Sequence, residues 1–123
     1  QFVWFSDFLS PFAEIETAIR RIAHSGLTGH LVHVVDPAEE DFPFHVRVRF
    51  ESFGGRESEI LGRAESVHDS YRARFKAHAE TLSAFARRLG WSYLAHRTDK
   101  RPELALVALY TDLGGAHANR QRA

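Results

Sequence analysis

Cysteine and methionine are both missing from this chain of 123 residues, and neither sign of charge prevails. The lack of cysteine removes disulfides, thiolate nucleophiles and Cys-based zinc sites, and nothing asks for an oxidising compartment, so a cytoplasmic setting is expected. Lys and Arg number 16 against 16 Asp and Glu, so no overall field recruits nucleic acid or an anionic membrane. Eight histidines can tilt that balance in mild acid. No apolar run approaches the ~20 residues of a bilayer span. The phosphate loops Gly-x-Gly-x-x-Gly and Walker A are absent, as are the Gly-x-Ser-x-Gly elbow and His-Glu-x-x-His. Leu9 stands two residues after Asp7, where a phosphoaspartate-type phosphatase would carry a second aspartate. His78-Ala79-Glu80 imitates the start of a deaminase signature whose chemistry needs cysteines. No catalytic residue is assigned, and the chain is not expected to be an enzyme.

What is present reads as one α/β domain, long enough for a core without staples. Phe2-Val3-Trp4-Phe5 is a short apolar run that ends at Ser6-Asp7, the pattern of a strand buried on both faces. Ser10 can cap a helix whose first turn suits Pro11, and Phe12, Ile15, Ala18, Ile19 and Ile22 give it an apolar stripe ending before Gly26. Leu31-Val32-His33-Val34-Val35 is a second buried strand, reached by this helical crossover and therefore parallel to the first. Between Phe44 and Phe50 apolar and polar residues alternate; with Gly54-Gly55 and a return over 58–61 they predict an antiparallel hairpin. A helix is predicted over 64–89, with Val67, Tyr71, Phe75, His78, Leu82, Phe85 and Leu89 on one stripe and Gly90 at its end. Residues 91–96 form a third strand, and Pro102 opens a last helix that Gly114-Gly115 should stop. The domain is thus expected over 1–115, with 116–123 a flexible tail.

In open parallel sheets ligands lie outside the carboxyl ends of the strands, where Ser6, Asp7, Asp36, Thr98 and Asp99 would gather. Oxygen donors of this kind suit Mg²⁺ or Mn²⁺. The plainer alternative is that each carboxylate caps a local turn, and it is the commoner fate of aspartate at such junctions. His30 and His33 point to opposite sides of their strand and are discounted as zinc ligands. His78 lies on the helical stripe, where a half-buried imidazole with one hydrogen bond is expected. Glu39-Glu40-Asp41 is read as a solvated loop. Arg47, Arg49, Arg56 and Arg63 lack an aromatic stacking platform, so nucleic acid is not an expected partner.

Phe5-Ser6-Asp7-Phe8-Leu9-Ser10-Pro11, the run from Gly29 to Phe44 with its Asp-Pro-x-Glu-x-x-Phe-Pro-Phe core, and Gly90 to Asp99 together resemble the C-terminal part of bacterial proteins called domain of unknown function 58. Those proteins are similar to von Willebrand factor A domains. The resemblance implies a Rossmann-like three-layer sandwich, represented by its C-terminal half, parallel strands plus the hairpin insertion. It also implies a metal-ion-dependent adhesion site, of which Asp7 is the one carried-over residue. The Asp-x-Ser-x-Ser element of that site does not occur, and Phe8 stands where such domains often have glycine. By the resemblance, Mg²⁺ or Mn²⁺ belongs to the full-length protein, and the function is a non-enzymatic, metal-assisted interaction module partnered by a MoxR-type ATPase. The alternative is a small metal-dependent hydrolase using Asp7 and Asp36. The chain opens directly on a hydrophobic strand with no initiator Met, so a fragment is expected. An edge left open beside that strand predicts a homodimer in which a second copy covers residues 2–5.

Overall fold

Among the described residues, largely apolar runs form three strands: β1 (Phe2–Ser6), β2 (Gly29–Val35) and β3 (Ser92–Arg97), of which β1 and β2 are rich in aromatic or β-branched side chains. The computed structural model describes residues 1–38 and 57–120, with side chains over 1–38 and 66–115. The sheet has the order β1-β2-β3, and both pairings are parallel, with Trp4 beside Leu31 and Leu31 beside Tyr93. Among the described residues the helices that accompany it are α1 (Phe12–His24), α2 (Glu57–Arg88) and α3 (Pro102–Arg120). This is an α/β fold.

The stripe of α1 buries Ile15 and Ile19, and its first turn carries Glu14 while Arg21 and His24 close its last, an order that complements the helix dipole. Pro11, not Ser10, is the N-cap residue. The Pro11 carbonyl accepts from the N–H of Glu14 at 3.0 Å and of Ile15 at 3.3 Å, and no side chain caps the end, contrary to the expectation for Ser10. Gly26 and Gly90 follow α1 and α2 with φ of +77° and +68°. Only glycine enters that region freely, which is why both helices end where the sequence predicts.

α2 departs from the sequence reading at its start. Residues 58–61, expected as the returning arm of a hairpin, belong to the helix. Glu, Ser, Leu and Ile in a four-residue window carry no period, and the helix's own continuity decides their state. The other arm, residues 44–50, and the acidic loop 39–41 lie outside the described residues. At 32 residues α2 is about 48 Å long, whereas a seven-residue strand spans roughly 23 Å. Its core contacts accordingly come from the C-terminal half, at Leu82, Phe85 and Ala86, while Val67 is 61 % exposed. α3 likewise runs through Gly114 and Gly115 to Arg120, so the expected stop is not observed. Two glycines cost about 1 kcal/mol each inside a helix, too little to end one that is held by other contacts. Gln1 donates to the Leu113 carbonyl at 3.3 Å, one such contact at this point.

α1 and α2 cover one sheet face. There Phe8, Leu31, Trp91 and the helix residues Ile15, Ile19, Leu82 and Phe85 make one cluster, with Phe2, Trp4 and Tyr93 at its border. Burying one such side chain fully contributes about 1.5–3 kcal/mol. α3 packs against β3, and its Asp112 lies within electrostatic reach of His30, a residue of the opposite face.

Gly29 occupies the start of β2 because the Trp91 indole lies directly against its Cα. A Cβ built there would fall inside the ring. Gly29→Ala is expected to destabilise the fold by about 1–3 kcal/mol through overpacking. A urea double-mutant cycle with Trp91→Leu should recover most of that loss, because the residue in the way is then smaller. Equal costs of Gly29→Ala in the two backgrounds would show that the contact is not the cause.

Candidate functional site

Parallel pairing brings the carboxyl ends of all three strands to one edge, so Ser6-Asp7, Asp36 and Thr98-Asp99 share a rim. They do not share a position on it. Val35 pairs with Arg97, but β1 ends with Ser6 beside His33. Continued one step, the register sets Asp7 level with Val34 and Asp36 level with Thr98, a stagger of two residues or about 6–7 Å along the strands.

Ser6, Asp7, Asp36 and Asp99 each also have a local hydrogen bond. Asp7 Oδ1 accepts the Leu9 N–H at 3.2 Å, and Asp36 Oδ1 accepts the Ala38 N–H at 2.7 Å. Ser6 Oγ accepts the Phe8 N–H at 3.0 Å. Asp99 receives Arg97 Nε at 3.1 Å and Nη2 at 3.0 Å, and this neighbouring guanidinium holds its carboxyl below the usual range. Among the described residues no three His, Asp or Glu side chains converge on a point where a metal ion could sit. The turn-capping alternative describes Asp7, which is exposed, and Asp36, whereas Asp99 is held by the Arg97 side chain.

Behind the rim is a feature the sequence did not reveal. Phe8 has φ +50°, a left-handed backbone that glycine favours and a bulky residue adopts only when its surroundings enforce it. Three contacts enforce it. Its ring is buried edge-on to Trp4 and to His33, with centroids 5.3 and 5.5 Å away, and its carbonyl receives His78 Nε2 at 2.6 Å. His78 is thus half-buried with one hydrogen bond, as expected from its place on the stripe. It ties α2 to the chain just after β1.

His33 is wholly buried, and its Nδ1 lies 2.7 Å from the Tyr93 hydroxyl on β3. Burial pushes the Tyr93 phenol up to about 12, so it is a proton donor at neutral pH. We assign the hydrogen bond as Tyr93 donating to Nδ1, which leaves the proton of the neutral ring on Nε2. That nitrogen has no partner in hydrogen-bond geometry, but the Asp7 main-chain carbonyl is near enough to favour a proton there. The opposite tautomer would turn a bare lone pair toward the carbonyl. His30 is arranged similarly on the other face: Nδ1 meets Ser92 Oγ at 2.8 Å and Nε2 is buried without a partner. The spacing of His30 and His33 shows their opposite faces, but their partners are 62 and 60 residues away and only the register of β3 reveals them.

Beyond the His33–Tyr93 pair, toward the rim, α2 and the sheet enclose a half-open cavity of about 500 Å³. Arg72, Lys76 and Arg97 stand on its walls, and none of these entered the sequence reading as a site. Arg72 and Lys76 are four residues apart, a helical spacing that sets them on one face, but nothing local says what that face looks onto.

Burial lowers the pKa of both His30 and His33 from the usual 6.5; for His33 the nearby His78 acts in the same direction, against the pull of Asp7. An unfolded chain therefore takes up these protons at higher pH than the native one does. The stability contributed by the neutral rings is complete above about 6.5 and falls as pH drops through the lower native values. Urea midpoints measured from about pH 7.5 down to about pH 5 should decline, and less so in His33→Leu. NMR titration of the His33 ring with a midpoint at or above the unfolded value would contradict this.

No family model, curated protein or solved structure matches the chain.

Proposed function

We propose that the chain is a non-enzymatic protein-interaction module, the C-terminal half of a von Willebrand factor A-like domain, that docks a MoxR-type ATPase across the carboxyl rim of its sheet. The observation that carries this reading is Asp7: an exposed carboxylate at the end of the first of three parallel strands, followed at once by a left-handed residue. Phe8 stands where such domains often have glycine, the residue that enters left-handed backbone freely, and here burial holds Phe8 in it. α3 lends support, since Leu104, Leu106, Val107 and Tyr110 are 56 to 78 % exposed on its outer side. Apolar surface of this extent on a helix commonly meets another protein.

A magnesium ion demands near-octahedral oxygen ligation, and the described residues do not supply it. Asp7 and Ser6 each already accept a main-chain N–H, and among the described residues no group of three His, Asp or Glu side chains forms around them. Mg²⁺ or Mn²⁺ would therefore need ligands from elsewhere in a longer protein. A hydrolase using Asp7 and Asp36 requires both carboxylates on one water, and the two-residue stagger together with their separate turns argues against it. No helix among the described residues is long and apolar enough to cross a membrane.

β1 has a neighbour on one side only among the described residues, and Phe5 on it is 56 % exposed. A hydrophobic strand edge of this kind templates pairing. In the proposed homodimer a second copy covers it.

In a binding assay with a purified MoxR-type ATPase, Asp7→Ala is expected to weaken association roughly tenfold or more, while Asp99→Asn, whose carboxylate is held by Arg97, stays close to the parent. Unchanged binding in Asp7→Ala, or an esterase or phosphoesterase activity that vanishes with it, would overturn the proposal. Light scattering at micromolar concentration should give twice the mass of one chain, and a clean monomer would remove the dimer.

A further inference from the structure

The cavity between α2 and the sheet belongs to neither the rim nor the dimer edge. Its origin is in the size of its walls. Toward the amino ends of the strands the gap between α2 and the sheet is filled by Leu82, Phe85 and Trp91, all buried. Toward the rim the facing residues are Ala79 and Ala73 on α2 and Ala95 on β3, with Val35 and Phe75 beside them. Three methyl groups cannot fill a space whose width is set by aromatic rings further along, so a void of about 500 Å³ remains. Ligand pockets typically occupy about 300–1,000 Å³ and are mostly apolar with a few placed polar groups.

The polar groups here are of one sign. Arg72 and Lys76 are exposed on α2, and Arg97 faces them from β3. Among the described residues no acidic side chain lines the cavity. Asp99 engages Arg97 from the rim, but Arg72 and Lys76 form no ion pair among the described residues. At the inner end the Tyr93 hydroxyl is directed to His33, which closes that end with a satisfied hydrogen bond and leaves the wall largely hydrocarbon.

From this arrangement we propose that the cavity binds a small amphipathic carboxylate, with its hydrocarbon body against Phe75, Ala79 and Ala95 and its anionic head on Arg72, Lys76 and Arg97. A neutral apolar molecule of the same length gains the body contacts but offers no charge to Arg72 and Lys76. A short anion gains the reverse. Discrimination therefore requires both halves of the ligand, and it is independent of Asp7.

The test is a titration of the whole chain with octanoate, below its micellar concentration, followed by amide shifts in ¹H–¹⁵N spectra. Saturable shifts are expected along 72–79 and 93–97. Octanol and acetate should each bind roughly tenfold more weakly or not at all. Arg72→Gln with Lys76→Gln, two exposed positions where folding is undisturbed, should weaken octanoate by about tenfold and flatten its salt dependence. Ala79→Leu, which narrows the apolar wall that the hydrocarbon body would occupy, should weaken octanoate severalfold while retaining the thermal midpoint. Octanol binding as tightly as octanoate, full affinity in the Gln pair or in Ala79→Leu, or an absence of saturable shifts at these residues would overturn the assignment.

Discussion

The structure depends on β2 being hydrogen-bonded on both sides and buried on both faces. From Gly29 to His33 every residue is buried, and Val35 is as well. A central parallel strand of this kind normally contains only apolar residues. This one holds two imidazoles, so the sheet must provide each with a hydrogen bond that water cannot. It does so from one place. Ser92 and Tyr93 are successive residues of β3, so the pleat turns one to each face, and each meets the histidine on its own side. Shifting β3 by one residue would move both hydroxyls to the wrong face and strand two polar rings in the core. The polar pairs thereby specify a register that hydrophobic contacts alone would fix less sharply.

The same requirement reaches the rim. His33 touches β3 through Tyr93 and faces the Asp7 carbonyl at the end of β1, while its ring stacks edge-on with Phe8. Phe8 in turn receives His78 from α2. One buried ring thus organises the exits of two strands and, through Phe8, the docking of a helix. The left-handed backbone at Phe8, which costs on the order of 1–3 kcal/mol in isolation, follows from these constraints. It also directs Asp7 outward. The position of the exposed carboxylate is therefore a consequence of the core beneath it, even though nothing adjacent in the sequence relates Asp7 to His33.

How far the sequence could be read follows the range of the interactions. Strands 2–5 and 31–35 and the stripe on α1 depend on local periodicity, and each lies where periodicity puts it. Glycine ends α1 and α2 because a C′ residue with positive φ is a local demand. Glycine does not end α3, where Gly114 and Gly115 pose only a modest local penalty against distant contacts such as Gln1 with Leu113. Residues 58–61 are helical and not a strand for the converse reason: a four-residue window holds too little pattern to outweigh the 32-residue helix that includes it. The rim was legible as an edge, since parallel strands must end together. Its stagger was not, because register is a relation between segments that no single segment encodes.

The cavity joins these two scales. Alanine at 73, 79 and 95 has no meaning in the sequence, and arginine or lysine at 72 and 76 looks like any solvated helical face. Their significance arises from α2 continuing past the part of the sheet it packs against, carrying its basic residues over β3. The bulky residues near the amino ends hold the helix at a distance that alanines cannot span, and the same rigidity that keeps His33 dry prevents the walls from collapsing inward. A void maintained in this way is a consequence of how the helix is propped against the sheet, and no single residue along it announces the space.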